Sequence, residues 1–486
     1  MSKEVKNLVP QEVWSNFAAL NAVPRPSKKE ERIIAFMMDF GQNLNLETFK
    51  DEVGNVIIKK AATPGMENRK TVVLQSHLDM VHQKNADTDF DFDTQGIEMY
   101  VDGDWVKAKG TTLGADNGLG VSAIMGILAS SDIKHPAIEA LFTIDEETGM
   151  TGAMGLKGGI LSGDILLNLD TEDDDEISVG CAGGIDITAR RTYSQDPVDE
   201  SKRAYSIIVN GLNGGHSGMD INKGLGNANK IMNRLLMDGF EQYGLRISSI
   251  QGGSLRNAIP RESHAVVVVD KMHAEAFEFE FDNLARIIKE EFQVIDPDLN
   301  IEFQVCVRPE KVMELGVQEG VLRSIYAALN GVYRMDPSLE DLVETSNNIA
   351  RVKVGEGKIE IACLTRSSVE SSKMDLANAL RSAFELSGHE VEYSGSYPGW
   401  KPNMDSSILK EMSALYRDLF QSEPNIMACH AGLECGILGT HYPDMEMISF
   451  GPNIRGAHSP DERASISSTA KFWNYLLRTL ENIPTK

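Results

Sequence analysis

The chain has 486 residues, with 47 Lys and Arg against 72 Asp and Glu, so its formal net charge is −25 at pH 7. This length corresponds to roughly three domains of about 150 residues and excludes small scaffolds held by disulfides or structural zinc. The negative charge argues against binding to nucleic acid or anionic lipid, because both present phosphate groups.

Targeting signals and cysteine pairs are missing from the sequence. The first ten residues contain no apolar signal-peptide core, and no stretch of about 18 apolar residues occurs that would span a bilayer. The cysteines are odd in number and have no Cys-x-x-Cys spacing, which argues against a disulfide framework and a thiolate zinc site; they are Cys181, Cys306, Cys363, Cys429 and Cys435. We therefore expect a soluble, cytoplasmic protein.

Four short apolar segments lead into histidine or carboxylate residues: 71–77, 139–146, 164–170 and 445–451, the last of them ahead of His458. Each is typical of a buried strand, whereas residues 118–130 form a longer apolar run that predicts a buried helix. Alternating strands and helices predict an α/β fold with a mostly parallel central sheet flanked by helices. Ligands of such sheets bind beyond the carboxyl ends of the strands, where these polar residues would converge.

The third and fourth of these strands are separated by a long segment with elements of its own. We expect strands at 204–210 and 263–270, helices at 227–237 and 274–291, and a hairpin with a glycine turn at 352–364. Glycine-bearing stretches at 180–184 and 395–399 suit the crossings between domains. The prediction is a discontinuous domain of residues 1–183 and 399–486 with an inserted α+β domain, 184–398. The acidic run 172–176 is expected to be a solvated loop.

Motifs of several enzyme classes are absent: the sequence has no phosphate-binding P-loop, no dinucleotide Gly-x-Gly-x-x-Gly after a strand, no Gly-x-Ser-x-Gly and no His-Glu-x-x-His. These absences disfavour nucleotide enzymes, serine hydrolases and zinc peptidases that carry their ligands on a helix.

Each polar residue at a strand end, taken alone, also fits a purely structural role. A carboxylate such as Asp79 can orient the His77 imidazole, but a His-x-Asp pair is common in structural roles. Asp116 precedes the predicted helix and would also serve as its cap. Glu146 and Glu147 place two like charges after an apolar strand, which requires a compensating positive charge.

The remaining two candidates complete the set. Asp170 ends the third strand, and His458 precedes a Ser459-x-x-Glu462 pattern that predicts a helical turn next to it. Taken together, two histidines and three carboxylates at one end of a sheet are the ligands that a pair of zinc ions takes. Asp116 is the best candidate to bridge the two ions.

Motifs in the order 76–79, 114–118, 145–149, 168–170 and 456–460 resemble those of the di-zinc peptidase family that includes carnosinase and aminoacylase. The resemblance is to its bacterial aminoacyl-histidine dipeptidase branch and extends over essentially the whole chain. Further matches lie at 179–184, 214–218, 256–260, 396–400 and 430–435. The resemblance implies a catalytic domain and an inserted lid that serves substrate binding and dimerisation.

The resemblance also implies roles for individual residues. Metal ligation falls to five of them, with Asp116 bridging: His77, Asp116, Glu147, Asp170 and His458. Asp79 would orient His77. Glu146 would be the general base for a water activated by two zinc ions. Cobalt or manganese would substitute for the zinc. His216 would stabilise the tetrahedral intermediate in the site of a partner subunit of a homodimer. Asn257, Arg366 and Gly432 would bind the carboxylate of the substrate.

The implied activity is hydrolysis of unblocked dipeptides of broad specificity, including Xaa-His. Glu434 would recognise the substrate amino group or support its loop, and the sequence does not decide between these. An aminoacylase-type hydrolase of N-acyl amino acids is the alternative, because the same metals and Glu146 serve either amide. A catalytically dead binding protein would have lost a ligand or the general base, and neither is lost.

Overall fold

Two compact units make up the computed structural model, which describes residues 4–486. The first unit contains the chain up to Gly180 together with Pro402–Ala428 and Leu433–Lys486, and the second contains Cys181–Lys401 and Cys429–Gly432. The chain changes unit near the two glycine-bearing stretches. The short segment 429–432 groups with the second unit, whereas the predicted boundaries had assigned it to the first domain.

The elements, in chain order, begin with those of residues 4–181: a short 3-10 helix (Val5–Asn7), α1 (Gln11–Leu20), α2 (Glu31–Asn43), β1 (Glu47–Lys50), β2 (Val56–Lys60), β3 (Val72–His77), β4 (Met99–Asp102), β5 (Trp105–Ala108), α3 (Ala115–Ala129), β6 (Ile138–Thr143), α4 (Glu146–Gly149), α5 (Thr151–Gly155), β7 (Ile165–Asn168) and β8 (Glu176–Cys181). The second unit follows with β9 (Gly183–Thr192), β10 (Gln195–Pro197), β11 (Lys202–Asn210), β12 (Gly215–His216), α6 (Ala228–Tyr243), β13 (Arg246–Gly252), β14 (Ala258–Ile259), β15 (Ser263–Asp270), a second 3-10 helix (Lys271–His273), α7 (Ala274–Phe292), β16 (Asn300–Val305), β17 (Lys311–Met313), α8 (Leu315–Ala327), β18 (Gly331–Met335), β19 (Val343–Gly355), β20 (Lys358–Ser367), α9 (Glu370–Glu385) and β21 (Glu390–Tyr397). The chain ends with α10 (Ser407–Phe420), β22 (Asn425–Cys429), α11 (Glu434–His441), β23 (Glu446–Ser449), β24 (Ile454–Arg455), β25 (Arg463–Ser465) and α12 (Ile466–Glu481).

The first unit is built on an eight-stranded sheet in the order β1-β2-β6-β3-β7-β23-β8-β22. Its central strands β6, β3, β7 and β23 are parallel, whereas β1, β2 and β8 pair antiparallel with their neighbours. The α/β fold class predicted from the sequence is confirmed, with the parallel part confined to the centre of a mixed sheet. Every residue of β3, β6 and β7 is buried, which explains why most of their residues are apolar.

Parallel pairing brings the carboxyl ends of the central strands to one edge of the sheet. β3 ends at His77, and β7 ends two residues before Asp170. The strand predicted for 139–146 ends earlier, at Thr143, and Glu146 and Glu147 begin the short helix α4. Helix α3, buried over almost its whole length, begins beside Asp116.

Nine antiparallel strands form the sheet of the second unit, in the order β16-β11-β15-β13-β19-β20-β9-β21, with β18 paired to β19. Its core contains apolar side chains of the sheet and of α6, α7, α8 and α9. The predicted inserted strands and helices are present as β11, β15, α6 and α7. The predicted hairpin is β19–β20: Gly355 pairs with Lys358, and Glu356 and Gly357 turn with φ of 53° and 77°, the positive values of a two-residue hairpin turn.

The acidic run 172–176 is not the solvated loop expected from its charge. Asp174 receives hydrogen bonds from the Lys471 ammonium at 2.8 Å and the Asn453 amide at 3.2 Å, and Asp173 pairs with Arg455. Glu176 is the first residue of β8. Two of the five acidic residues therefore have side-chain partners, and a third belongs to a strand. Among residues 4–486, none of the helices is both long and apolar enough to cross a bilayer.

Candidate functional site

Asp116 lies between two histidines in the first unit and presents one carboxylate oxygen to each. Its Oδ1 is 3.1 Å from His77 Nε2, and its Oδ2 is 3.3 Å from His458 Nε2. Asp170 Oδ1 joins the His77 side at 3.4 Å, and Glu147 Oε2 joins the His458 side at 3.0 Å. The structure thus brings all five predicted ligands together in two groups of three that share Asp116, each group with its ligand atoms within 4.8 Å of one another.

Asp79 orients the His77 ring from behind. The ring Nδ1 is 3.4 Å from Asp79 Oδ1 and 3.2 Å from the Asp79 carbonyl oxygen, and both residues are almost completely buried. A proton on Nδ1 satisfies these two acceptors, so the lone pair of Nε2 faces Asp116 and Asp170. This is the tautomer that a ligating imidazole needs.

The same Asp79 carboxylate also holds the start of α4. Its oxygens accept hydrogen bonds from the backbone N–H groups of Glu146 at 3.0 Å and Glu147 at 3.3 Å, and from the Ser27 hydroxyl at 2.8 Å. One buried carboxylate therefore positions His77 and the two adjacent glutamates. His77 ends β3, whereas Glu146 follows β6.

Glu146 lies beside this group without a place in either of the two triads that share Asp116. Its ligand atom is within 4.8 Å of those of His77 and Glu147. Burial raises the pKa of the Glu146 carboxyl well above its usual range, His77 opposes this shift, and the carboxylates of Asp170, Glu434 and Glu147 add to it. A carboxyl with a raised pKa beside the metal-type cluster is suited to accept and return a proton.

The charge of the cluster fits bound cations. Burial, together with Asp116 and Glu147, raises the pKa of Asp170 to about 6 although His77 opposes the shift, and hydrogen bonds to Asp116 and Glu147 raise that of His458 to about 11. Glu147 Oε1 is buried and has no hydrogen-bond partner in the part of the chain described. Clustered carboxylates, raised pKa values and an unsatisfied oxygen indicate that positive charge is required here, and the donor set suits divalent metals.

Glu462 ties the Asp116 loop in place, a role that the sequence analysis assigned wrongly. Residues 459–462 form a turn and not a helical cap. Instead, the buried Glu462 carboxylate accepts the four consecutive backbone N–H groups of residues 113–116 at 2.7–3.2 Å. The Ser-x-x-Glu spacing indicated a capping role, but the capped helix is α3, more than three hundred residues earlier in the chain.

Arg25 is a second supporting residue that the sequence analysis missed. It is buried, and its guanidinium donates to the carbonyl oxygens of Leu78 and Asp79 at 3.0 Å and of Gly114 at 2.5 Å. A Cβ atom on Gly114 would lie 2.5 Å from this guanidinium, so the close approach requires glycine. A single arginine between two prolines carries no pattern that would have revealed this contact.

Glu434, left open by the sequence, is completely buried in the first unit at the start of α11. Its Oε2 accepts hydrogen bonds from Gln75 Nε2 and Thr143 Oγ1, both at 2.6 Å, while Oε1 has no partner among residues 4–486. Burial raises the pKa of this carboxyl to about 8, even though the Thr143 hydrogen bond opposes the shift.

The remaining predicted residues, His216, Asn257, Arg366 and Gly432, belong to the second unit. His216 Nδ1 accepts the backbone N–H groups of Gly218 at 3.2 Å and Met219 at 3.0 Å, so the ring proton is on Nε2. Burial and the nearby Arg366 lower the pKa of His216, which favours the neutral ring. The result is an imidazole that donates from Nε2.

Arg366, on β20, lies next to this donor. Its Nη2 is 3.4 Å from His216 Nε2, and its Nη1 donates to the Tyr397 hydroxyl at 2.9 Å. Both Arg366 Nη2 and His216 Nε2 carry protons, so neither accepts a hydrogen bond from the other. The two donors therefore suit an acceptor supplied by a third group. The Asn257 carbonyl oxygen accepts a hydrogen bond from the Ser217 N–H at 2.8 Å, which links its loop to that of His216.

Comparison with known proteins matches residues 73–482 to Peptidase family M20/M25/M40. The cytosol non-specific dipeptidase of Escherichia coli (strain K12) is 41% identical over 483 residues, covering 99% of this chain and 100% of that protein. The crystal structure of aminoacylhistidine dipeptidase from Vibrio alginolyticus superposes with a TM-score of 0.94 at 43% identity, covering 100% of this chain and 99% of that chain. Aminopeptidase PepT from Bacillus cereus matches with a TM-score of 0.58 at 15% identity over 98% and 99% of the two chains, a likeness of fold alone.

Proposed function

Because the chain belongs to peptidase family M20/M25/M40, we propose that it is a metal-dependent dipeptidase that hydrolyses unblocked dipeptides of broad specificity, including Xaa-His. The observation that carries this proposal is the position of Asp116, whose two oxygens face His77 and His458 in two adjoining groups of ligands. The relatives at 41% and 43% identity, matched over nearly their full lengths, are named as dipeptidases, which supports the substrate class.

Two divalent ions per subunit would be held by the five clustered residues. We assign His77 and Asp170 to one ion, Glu147 and His458 to the other, and Asp116 to both. Zinc is the proposed metal, with cobalt or manganese able to replace it, since imidazole and carboxylate ligands accept all three. When bound, such ions polarise the scissile carbonyl and lower the pKa of a bound water.

The chain's own residues then handle the protons. Glu146 accepts a proton from the attacking water and gives it to the leaving amine, a role that its raised pKa and its position outside the two ligand triads support. Asp79 keeps His77 in the ligating tautomer and fixes the start of α4, on which Glu146 is the first residue. His216 donates from Nε2 to the carbonyl oxygen of the substrate, which carries negative charge in the tetrahedral intermediate.

Recognition of the dipeptide carboxylate is assigned to the second unit. Arg366 offers a planar pair of donors that suits a carboxylate, and Asn257 and the Gly432 backbone complete the proposed subsite. A group that reads the carboxylate at a fixed distance from the scissile bond would limit the enzyme to dipeptides.

We further propose a homodimer in which His216 serves the active site of a partner subunit, as the family resemblance implies. A cytoplasmic location is proposed from the relative named for the cytosol. It agrees with the absence of a Cys-x-x-Cys spacing in the sequence.

The function is tested by assaying zinc-loaded protein on Xaa-His and other dipeptides, a tripeptide, an N-acetyl amino acid and a dipeptide amide. We expect cleavage of the dipeptides, loss of activity with a chelator and recovery with zinc. Glu146→Gln should lower kcat by about 10²- to 10⁴-fold, the usual contribution of a general base, and keep its metal content by atomic absorption. Glu147→Gln should lower the metal content. Cleavage of the N-acetyl amino acid without cleavage of any dipeptide would overturn the proposal in favour of aminoacylase chemistry.

A further inference from the structure

Arg366 is a buried cation with no carboxylate in direct contact in the part of the chain described. The residue is 4% exposed, and its guanidinium contacts uncharged groups: Ser217 Oγ at 3.4 Å, His216 Nε2 at 3.4 Å and the Tyr397 hydroxyl at 2.9 Å. Arg366 attracts the Asp186 carboxylate from a longer distance, but Asp186 forms its ion pair with Arg256 at 3.1 Å, and Arg366 has no ion pair within 4.0 Å among residues 4–486. A buried guanidinium is costly unless an anion compensates it, so this position requires an anionic ligand.

Tyr397 contributes an unused proton at the same place. Its hydroxyl oxygen accepts the hydrogen bond from Arg366 Nη1, and its own hydrogen has no acceptor within the described residues. The phenol stays protonated, because burial raises the pKa of Tyr397 although Arg366 opposes the shift. A hydroxyl that already accepts from a cation is polarised toward donation, which makes it a good donor to an anion beside that cation.

Tyr397 is held both at its backbone and at its ring. The ammonium of Lys373, itself completely buried, donates to the Tyr397 carbonyl oxygen at 2.7 Å. The ring packs directly on Gly184, where a Cβ atom would lie 2.7 Å from a ring carbon. Both contacts hold the tyrosine at the end of β21 in one orientation, as a group that recognises a ligand at a fixed distance needs to be held.

We propose that the Tyr397 hydroxyl binds the free carboxylate of the dipeptide by donating a hydrogen bond to it alongside Arg366, and that it is a specificity-determining residue for substrates with an unblocked C-terminus. Lys373 is a positioning residue that acts through Tyr397. The inference rests on the proposed function and adds a substrate contact that the sequence motifs did not assign.

The test replaces only the hydroxyl, in Tyr397→Phe, and compares a dipeptide with the same dipeptide carrying a C-terminal amide. We expect KM for the dipeptide to rise by about 10- to 100-fold, as for loss of a hydrogen bond to a charged group, with kcat little changed. Cleavage of the amide, which has no carboxylate, should not change. Tyr393→Phe is the matched control, since that hydroxyl lies on the same strand and donates to Asn378 at 3.0 Å.

A purely supporting role for Tyr397, as an acceptor for Arg366, would also raise KM in Tyr397→Phe. Incorporation of 3-fluorotyrosine at position 397 separates the two roles, because fluorine makes the phenol a stronger donor and a weaker acceptor. Direct donation to the carboxylate predicts tighter dipeptide binding by calorimetry in the Glu146→Gln background, at a pH where the phenol remains protonated. Weaker or unchanged binding overturns the inference.

The two levels of the proposal fail differently. Wild-type protein that cleaves no dipeptide contradicts the proposed function. Wild-type protein that cleaves dipeptides, combined with a Tyr397→Phe variant whose KM is unaltered, contradicts the role of Tyr397 alone.

Discussion

At the scale of single residues, the site depends on carboxyl groups that are buried for different purposes. Asp79 lies against the His77 ring, which does most to lower the pKa of its carboxyl, and it also accepts hydrogen bonds from Ser27 and two backbone N–H groups. Glu434 has only two neutral donors on one oxygen and none on the other. Similar burial therefore produces opposite pKa shifts: the pKa of Asp79 is lowered despite burial, and that of Glu434 is raised by it.

The raised pKa of Glu434 predicts a pH-dependent stability. Its folded-state value of about 8 exceeds the ordinary 4.5, so the folded protein binds a proton that the unfolded chain releases between these values. The stabilisation is present below pH 4.5 and is lost as the pH rises to about 8. In metal-free protein, Glu434→Gln should raise Tm relative to wild type at pH 8 and much less at pH 5, by a few degrees, since 1 kcal/mol shifts Tm by about 2–4 °C at this domain size.

Glu446→Gln is the control with the opposite sign. Hydrogen bonds from Ser407 and Lys70 lower the pKa of Glu446 to about 2 against the effect of burial, so its stabilisation is already present at both test pH values and is lost only in stronger acid. This variant should lose a similar amount of stability at pH 5 and pH 8. A Glu434→Gln variant whose Tm difference from wild type is the same at the two pH values would contradict the assignment.

At the scale of elements, the ligands are held by contacts between segments far apart in the chain. The last two residues before helix α3 and the first two residues of the helix, 113–116, have four consecutive backbone N–H groups, and Glu462, just before β25, accepts hydrogen bonds from all four. Because Asp116 is one of these four residues, the same contact caps a helix and places the carboxylate shared by the two ligand groups.

Glu462→Gln should therefore destabilise the protein and weaken its metal binding. The amide group cannot accept all four donors, and loss of charge-assisted hydrogen bonds costs about 1.5–3 kcal/mol. Urea unfolding of the metal-free variant measures the first effect, and competition with a chromophoric zinc chelator measures the second. The exposed neighbour Asp461 in Asp461→Asn is the matched control. Unchanged zinc affinity in Glu462→Gln would show that Asp116 is held without this contact.

At the scale of the whole molecule, the proposed machinery is divided between two units of the chain. The five metal-type residues, Asp79 and Glu146 belong to the first unit, whereas His216 and Arg366 belong to the second. Each unit has its own main sheet. The proposed donors and the proposed metal site therefore belong to two separate units of the chain. In the proposed dimer, the His216 donor and the metal ligands of one working site come from different subunits.

Mixing two inactive variants tests this division. His216→Ala and Glu146→Gln are each expected to have little activity, but a mixed dimer combines one intact metal site with one intact His216 on the partner. If His216 acts across subunits, equal mixing after dissociation and reassociation should restore about a quarter of wild-type activity, because half of the dimers are mixed and each has one complete site. Mixtures in which native mass spectrometry shows mixed dimers but no activity returns would place His216 in its own subunit's site.

The central strands and the donor residues at their ends could be predicted from the sequence alone. Strands buried on both faces are almost wholly apolar, so 71–77 and 164–170 stood out, and histidine and carboxylates at their ends were conspicuous against that background. The α/β class is confirmed for the same reason. The amphipathic segments 263–270 and 274–291 were likewise close to the observed β15 and α7, because their local periodicity is regular.

What only the tertiary structure decided were the partners of polar groups that carry no local pattern. Glu462 was assigned to a helical turn beside His458 and not to the start of α3, Arg25 and Tyr397 had no assigned contact, and the acidic run at 172–176 has hydrogen-bond and ion-pair partners. Apolar periodicity is a property of neighbouring residues and can be seen in one segment. A hydrogen bond between residues hundreds of positions apart exists only once both segments are packed, so the sequence determined which chemistry is present and the packing determined which groups perform it.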